Sequence, residues 1–120
     1  MQEQVSEFMR AAGQTVFSTP TAGSYGDSDK RFSIIFEELE EYKCADHIED
    51  IADAIGDMLY TVIGAACQHG INIEPIFEEI HRSNMTKFVD GHLDVQSGKW
   101  IKGPSYSPAN LKPIIDAQMK

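Results

Sequence analysis

Apolar residues recur at three- and four-residue intervals in four stretches of the chain, and each stretch predicts an amphipathic helix. Residues 2 to 12 place Val5, Phe8 and Met9 on one face, with Gly13 as a stop signal. From Ser18 to Asp29 the periodicity lapses into Ser, Thr, Pro, Gly and Asp, which predicts a surface loop or a lid, longer than most connections in a compact domain. A second helix follows from about Lys30 to Lys43, with Phe32, Ile35, Phe36 and Leu39 as its core stripe. The third, from about Ile48 to His69, carries Ile51, Ile55, Met58, Leu59, Val62 and Ala66, and Gly70 ends it. The fourth, from about Glu74 to Asn84, carries Ile76, Phe77 and Ile80, with Pro75 suited to its first turn.

Beyond Lys87 the pattern changes. Asp90-Gly91 and Ser97-Gly98 mark turns around short segments that form a hairpin or an irregular arm, and Pro108 and Pro113 bracket a short terminal helix. The expected fold is all-α, an antiparallel helical bundle of four to five helices with a less regular C-terminal arm. Its 120 residues, 42% of them hydrophobic, suit a single domain over residues 1 to 120. The longest apolar run, Met58 to Cys67, is too short to span a bilayer. Cys44 and Cys67 lack the spacing of a zinc site or a disulfide frame. These features predict a soluble, cytoplasmic protein with no membrane partner.

The net charge of −9 opposes nonspecific nucleic-acid binding. Its distribution points elsewhere. Glu37, Glu38, Glu40, Glu41, Asp46, Glu49, Asp50, Asp53 and Asp57 stand against one base, Lys43, whereas residues 81 to 120 are net basic. From Ile51 to Gln68 there is no Lys, Arg or Glu, the usual residues of an exposed helix face. The polar side there is Asp53, Asp57 and Thr61, continued by Gly64 and Ala65, so Thr61, Gly64 and Ala65 are expected to lie near a neighbouring helix or the site.

Spacing refines the picture. Glu38 and Glu41 are three apart, as are Asp50 and Asp53, while Asp53 and Asp57 are four apart, so each set projects as neighbours from its helix. An antiparallel hairpin of the two helices lets the sets converge. Crowded carboxylates demand protonation, separation or a cation. Oxygen-only ligands select a hard ion, Mg²⁺ or Mn²⁺.

The order Glu37-Glu38-Leu39-Glu40-Glu41, then Asp50-Ile51-Ala52-Asp53 through Asp57-Met58-Leu59-Tyr60, then His81-Arg82-Ser83-Asn84-Met85-Thr86-Lys87 resembles the MazG-like all-α nucleoside triphosphate pyrophosphohydrolase superfamily. Its phosphoribosyl-ATP pyrophosphohydrolase-like subgroup is the nearest, and Lys102-Gly103-Pro104-Ser105-Tyr106 resembles that subgroup's tail. The resemblance implies Glu38, Glu41 and Asp53 as catalytic metal ligands. Asp50 stands where the pattern has Glu, one methylene longer, so Asp57 or Glu37 are further candidates for the remaining carboxylate. It implies that Asn84 and Lys87 contact phosphates, or in the case of Asn84 a metal, and that Lys102 closes over the polyphosphate. Arg82 is a further phosphate partner by its charge or a helix C-terminal residue, and Tyr60 packs in the core or stacks on a base.

The expected activity is Mg²⁺-dependent hydrolysis of a nucleoside triphosphate, dUTP or another dNTP, to monophosphate and pyrophosphate. The alternatives are hydrolysis of phosphoribosyl-ATP and a catalytically silent helical module that binds nucleotide or metal. Metal reverses the sign of an acidic pocket that would otherwise repel a polyphosphate. The family resemblance also implies a homodimer or higher homo-oligomer.

Overall fold

The computed structural model describes all residues from Met1 to Lys120, and they form two compact units. The first comprises Met1–Asn72 with Gln118–Lys120, the second Ile73–Ala117. Five α-helices, a 3₁₀ turn and one two-stranded hairpin make an all-α fold with a less regular C-terminal region. No helix is long and apolar enough to cross a membrane.

The first unit is built from α1 (Gln2–Ala11), α2 (Tyr25–Cys44) and α3 (Ile48–Gln68). Both α1 and α2 pack on α3. Val5 and Met9 of α1 meet Ile63 and Cys67 of α3 in a small buried cluster, with Val16 against it. Gly70, at φ +67°, turns the chain out of α3, where a side chain would also collide with the Thr19 carbonyl.

α2 begins five residues earlier than its periodicity predicts. Ser24 caps it, its hydroxyl accepting from the Asp27 amide at 3.1 Å, so Tyr25 to Asp29 are helical and the loop ends at Ser24. The predicted core stripe of α2 is also corrected. Phe32 is 66% exposed, and Phe36 and Leu39 are about half exposed, whereas Arg31, Ile34 and Glu38 are more covered. On α3, Ile55, Leu59 and Val62 are likewise half exposed, and Ala54, Ile63, Gly64, Ala66 and Cys67 are buried. Each helix thus has an apolar face that this chain leaves open and a mixed, small or polar face that it covers. The small residues of α3 let the helices approach closely, and Gly64 is buried with Thr61 and Ala65 partly covered.

The second unit contains α4 (Ile73–Met85), the 3₁₀ turn Thr86–Phe88, strands β1 (His92–Asp94) and β2 (Lys99–Ile101), and all but the last residue of α5 (Lys112–Gln118). The strands pair antiparallel with His92 opposite Ile101 and Asp94 opposite Lys99. Ser83 anchors the following arm. Its buried hydroxyl donates to the Ser107 carbonyl at 2.7 Å, and the Thr86 hydroxyl accepts from the Ser107 amide at 2.8 Å.

Candidate metal centre

The short Ala45–His47 link folds α3 back along α2 as a helical hairpin. That arrangement brings one carboxylate oxygen each of Glu38, Glu41 and Asp57 within 4.8 Å of one another. Glu38 and Glu41 meet by their three-residue spacing, and Asp57 arrives from the opposing helix. Each pair of charges at that separation repels by about 3 kcal/mol at an effective dielectric of about 20. Burial, followed by the charges of Glu41 and Asp57, a hydrogen bond with Glu41 and the charge of Glu37, holds the Glu38 carboxyl above its ordinary range.

Glu38 Oε2 is buried and accepts no hydrogen bond. A buried carboxylate oxygen without a partner is costly in a folded chain, and a cation satisfies it directly. The donor set is all oxygen and anionic, so the residues fit a hard divalent ion.

The remaining acids lie differently. Asp53, one turn before Asp57, is exposed and falls outside the group of three. Asp50 is exposed in the first turn of α3, where a negative charge favours the helix N-terminus. Glu37 is exposed and acts on the group through its charge on Glu38. Tyr60 packs edge-on against Phe8, the ring centres 5.7 Å apart.

In the second unit, Lys87 and Lys102 converge on one ring, their ammonium groups 5.8 and 4.6 Å from the centre of Tyr106. The Tyr106 hydroxyl is hydrogen-bonded to Ser83 Oγ at 3.1 Å, donating to it because the Ser83 proton is engaged at the Ser107 carbonyl, so α4 positions the platform beneath both cations. Arg82 is engaged within the unit. It grips Glu79 with bonds of 2.8 and 2.9 Å and reaches Ser107 Oγ and the Pro108 carbonyl. Asn84 is exposed on α4.

Arg31 and Gln68 are polar residues that the sequence pattern does not single out. Arg31 is buried on α2 beside Gln68 of α3 and Gln14 of the first loop. Its signal was present, because it precedes Glu38 by seven residues and shares that helix face.

Residues 2–84, more than half of the chain, match the family model described as phosphoribosyl-ATP pyrophosphohydrolase. No curated protein matches the chain.

Proposed function

The chain belongs to the phosphoribosyl-ATP pyrophosphohydrolase family, and from that premise we propose that it hydrolyses phosphoribosyl-ATP to phosphoribosyl-AMP and pyrophosphate. Family membership supports a pyrophosphohydrolase-type reaction. The match names the substrate held above as the alternative, and so favours it over a nucleoside triphosphate such as dUTP.

The observation that carries the proposal is the three-carboxylate group with its unpartnered Glu38 oxygen. Glu38, Glu41 and Asp57 would hold Mg²⁺, with Mn²⁺ as a substitute of the same ligand preference. When bound, such an ion neutralises polyphosphate charge, polarises the phosphoryl group and acidifies water. Glu38, whose carboxyl is held above its ordinary range, would ligate as the carboxylate, and a bound cation would offset the repulsion among the three groups. Within the second unit, taken by itself, Lys87 and Lys102 stand at the Tyr106 ring as compact cations of a kind suited to phosphate oxygens. In the reaction, water forms a new P–O bond, the phosphoanhydride bond breaks, and pyrophosphate leaves.

A second copy of the chain belongs to the same proposal. Tyr25, Phe32, Phe36 and Leu39 on α2 and Ile48, Ile55, Leu59 and Val62 on α3 follow one spacing, i, i+7, i+11 and i+14, and all eight are exposed. Two adjacent apolar stripes of this kind suit helix packing between copies.

The test is turnover of phosphoribosyl-ATP and a panel of (deoxy)nucleoside triphosphates with Mg²⁺, with products identified by mass. Monophosphate and pyrophosphate from phosphoribosyl-ATP, lost in EDTA, are expected. Preferential cleavage of dUTP or another dNTP would transfer the assignment to that substrate. A pure preparation inert on every nucleotide leaves the binding module as the reading.

A further inference from the structure

Arg31 is a buried cation without a counter-ion. It is 8% exposed in a chain with 19 acids and 10 basic residues, yet no carboxylate reaches it. Asp46–His47, Glu79–Arg82 and Lys112–Asp116 form ion pairs, and Arg31 belongs to none of them. Its partners are all neutral. Nε donates to Gln68 Oε1 at 3.4 Å, and Nη2 donates to Gln14 Oε1 at 3.2 Å and Met9 Sδ at 3.8 Å. These bonds are longer than the roughly 2.7–2.9 Å of charge-assisted pairs, and Nη1 makes none.

The fold makes room for this head group. A methyl on Gly64 would stand 2.7 Å from Nη1, so the guanidinium occupies space that any side chain at that position would contest. Nη1 is left unbonded beside the Gly64 backbone. Burial lowers the pKa of Arg31, but a guanidinium remains charged at any ordinary pH. The site is a fixed set of donors whose charge nothing in the chain balances.

Its position along the helices gives it a use. Arg31 precedes Glu38 by seven residues on α2, two turns and roughly 10 Å of helix rise. Gly64 and Gln68 follow Asp57 by seven and eleven residues on α3 and share its face. One seam between the two helices therefore runs from the three carboxylates to Arg31, a span comparable with a nucleoside measured from its 5′ phosphate to the far edge of its base.

We propose that Arg31, steadied by Gln68 and Gln14, binds an oxygen acceptor at the end of the nucleotide remote from the cleaved bond and so determines substrate selectivity. This rests on the reading of the carboxylates as the polyphosphate end. Two parts of a nucleotide carry that chemistry: a base carbonyl, and the phosphate of an added phosphoribosyl group.

Calorimetric binding of UMP, AMP and phosphoribosyl-AMP in Mg²⁺ buffer, with wild type, Arg31→Met and Gly64→Ala, tests the proposal without requiring turnover. Inorganic tripolyphosphate, which has no nucleoside, serves as the control ligand. Arg31→Met is expected to weaken one nucleotide about tenfold or more, the loss of a hydrogen bond to a charged group, while tripolyphosphate binds as before. Its melting temperature should hold or rise, because an unpaired buried charge has gone. Gly64→Ala, which displaces the head group and keeps the charge, should repeat the selective loss. Loss confined to phosphoribosyl-AMP identifies the phosphate, and loss for UMP identifies the carbonyl. Unchanged affinities, equal weakening of tripolyphosphate, or no nucleotide binding by the wild type would each overturn the inference. Arg31-dependent binding by an enzyme without turnover sinks the catalytic proposal alone, and turnover with Arg31-independent affinities sinks this one alone.

Discussion

Glu38 on α2 and Asp57 on α3, nineteen positions apart, bring carboxylate oxygens within 4.8 Å of each other across the helical hairpin, with Glu41 as the third member. Asp53, one turn away on the same helix, is outside that group. The pair defines which of the many acids are expected to govern metal binding.

Replacement of Asp57 by Ala should therefore abolish the rise in melting temperature caused by Mg²⁺ and reduce turnover by about a hundredfold or more, a loss of roughly 3 kcal/mol in the transition state. Asp53→Ala should cost about tenfold or less in turnover and keep most of the thermal shift. Equal effects of the two substitutions, in parallel melts and steady-state assays, would contradict this division.

The raised pKa of Glu38 has a defined sign. In metal-free protein the folded state holds this proton more tightly than the unfolded chain does, so the stabilisation is fully present below the ordinary value of 4.5 and is lost as pH rises through the folded value. Mg²⁺ is ligated only by the ionised carboxyl, so its affinity should rise over the same interval. Glu38→Gln should flatten the metal-free pH profile and remove Mg²⁺ binding. Calorimetric titrations across pH check both.

Glu79 behaves in the opposite sense. Hydrogen bonds from Arg82 and then from the Asn110 amide hold its carboxyl at about 2. The stability it contributes is present above the ordinary value of 4.5 and lost as pH falls toward about 2. Glu79→Gln should remove that part of the acid limb, seen as a shallower loss of helical signal between those values. An unaltered acid transition would show that the pair does not hold the arm.

The stripes on α2 and α3 predict that Phe36→Glu combined with Leu59→Glu yields a smaller species than wild type in light scattering. The variant should lose at least about tenfold in self-affinity, since each charge must otherwise be buried against an apolar neighbour. A wild-type protein that is monomeric at high micromolar concentration would remove the second copy from the proposal.

Much of the fold was legible because helix periodicity is a local property. The extents of α1, α3 and α4 follow from apolar spacing, Gly13, Gly70 and Pro75. The start of α2 was missed because Tyr25-Gly26-Asp27-Ser28 reads as connector composition. Ser24 with an acid at Asp27 was the available capping signal, confirmed by the bond between them.

The chain's own order of residues determined that the acids of α2 and α3 lie on common faces, that their chemistry suits a hard cation, and that the family is recognisable from Glu38 to Lys87. Tertiary structure alone decided the rest. In the packed hairpin of α2 and α3, Ala54 and Gly64 are buried and Arg31 packs beside Gly64. That packing brings Asp57, and not Asp53, beside Glu38 and Glu41, and leaves Phe32 and Phe36 exposed. Periodicity specifies which side chains share a face, but each helix had two faces fit for burial, and only packing against a neighbour distinguishes them.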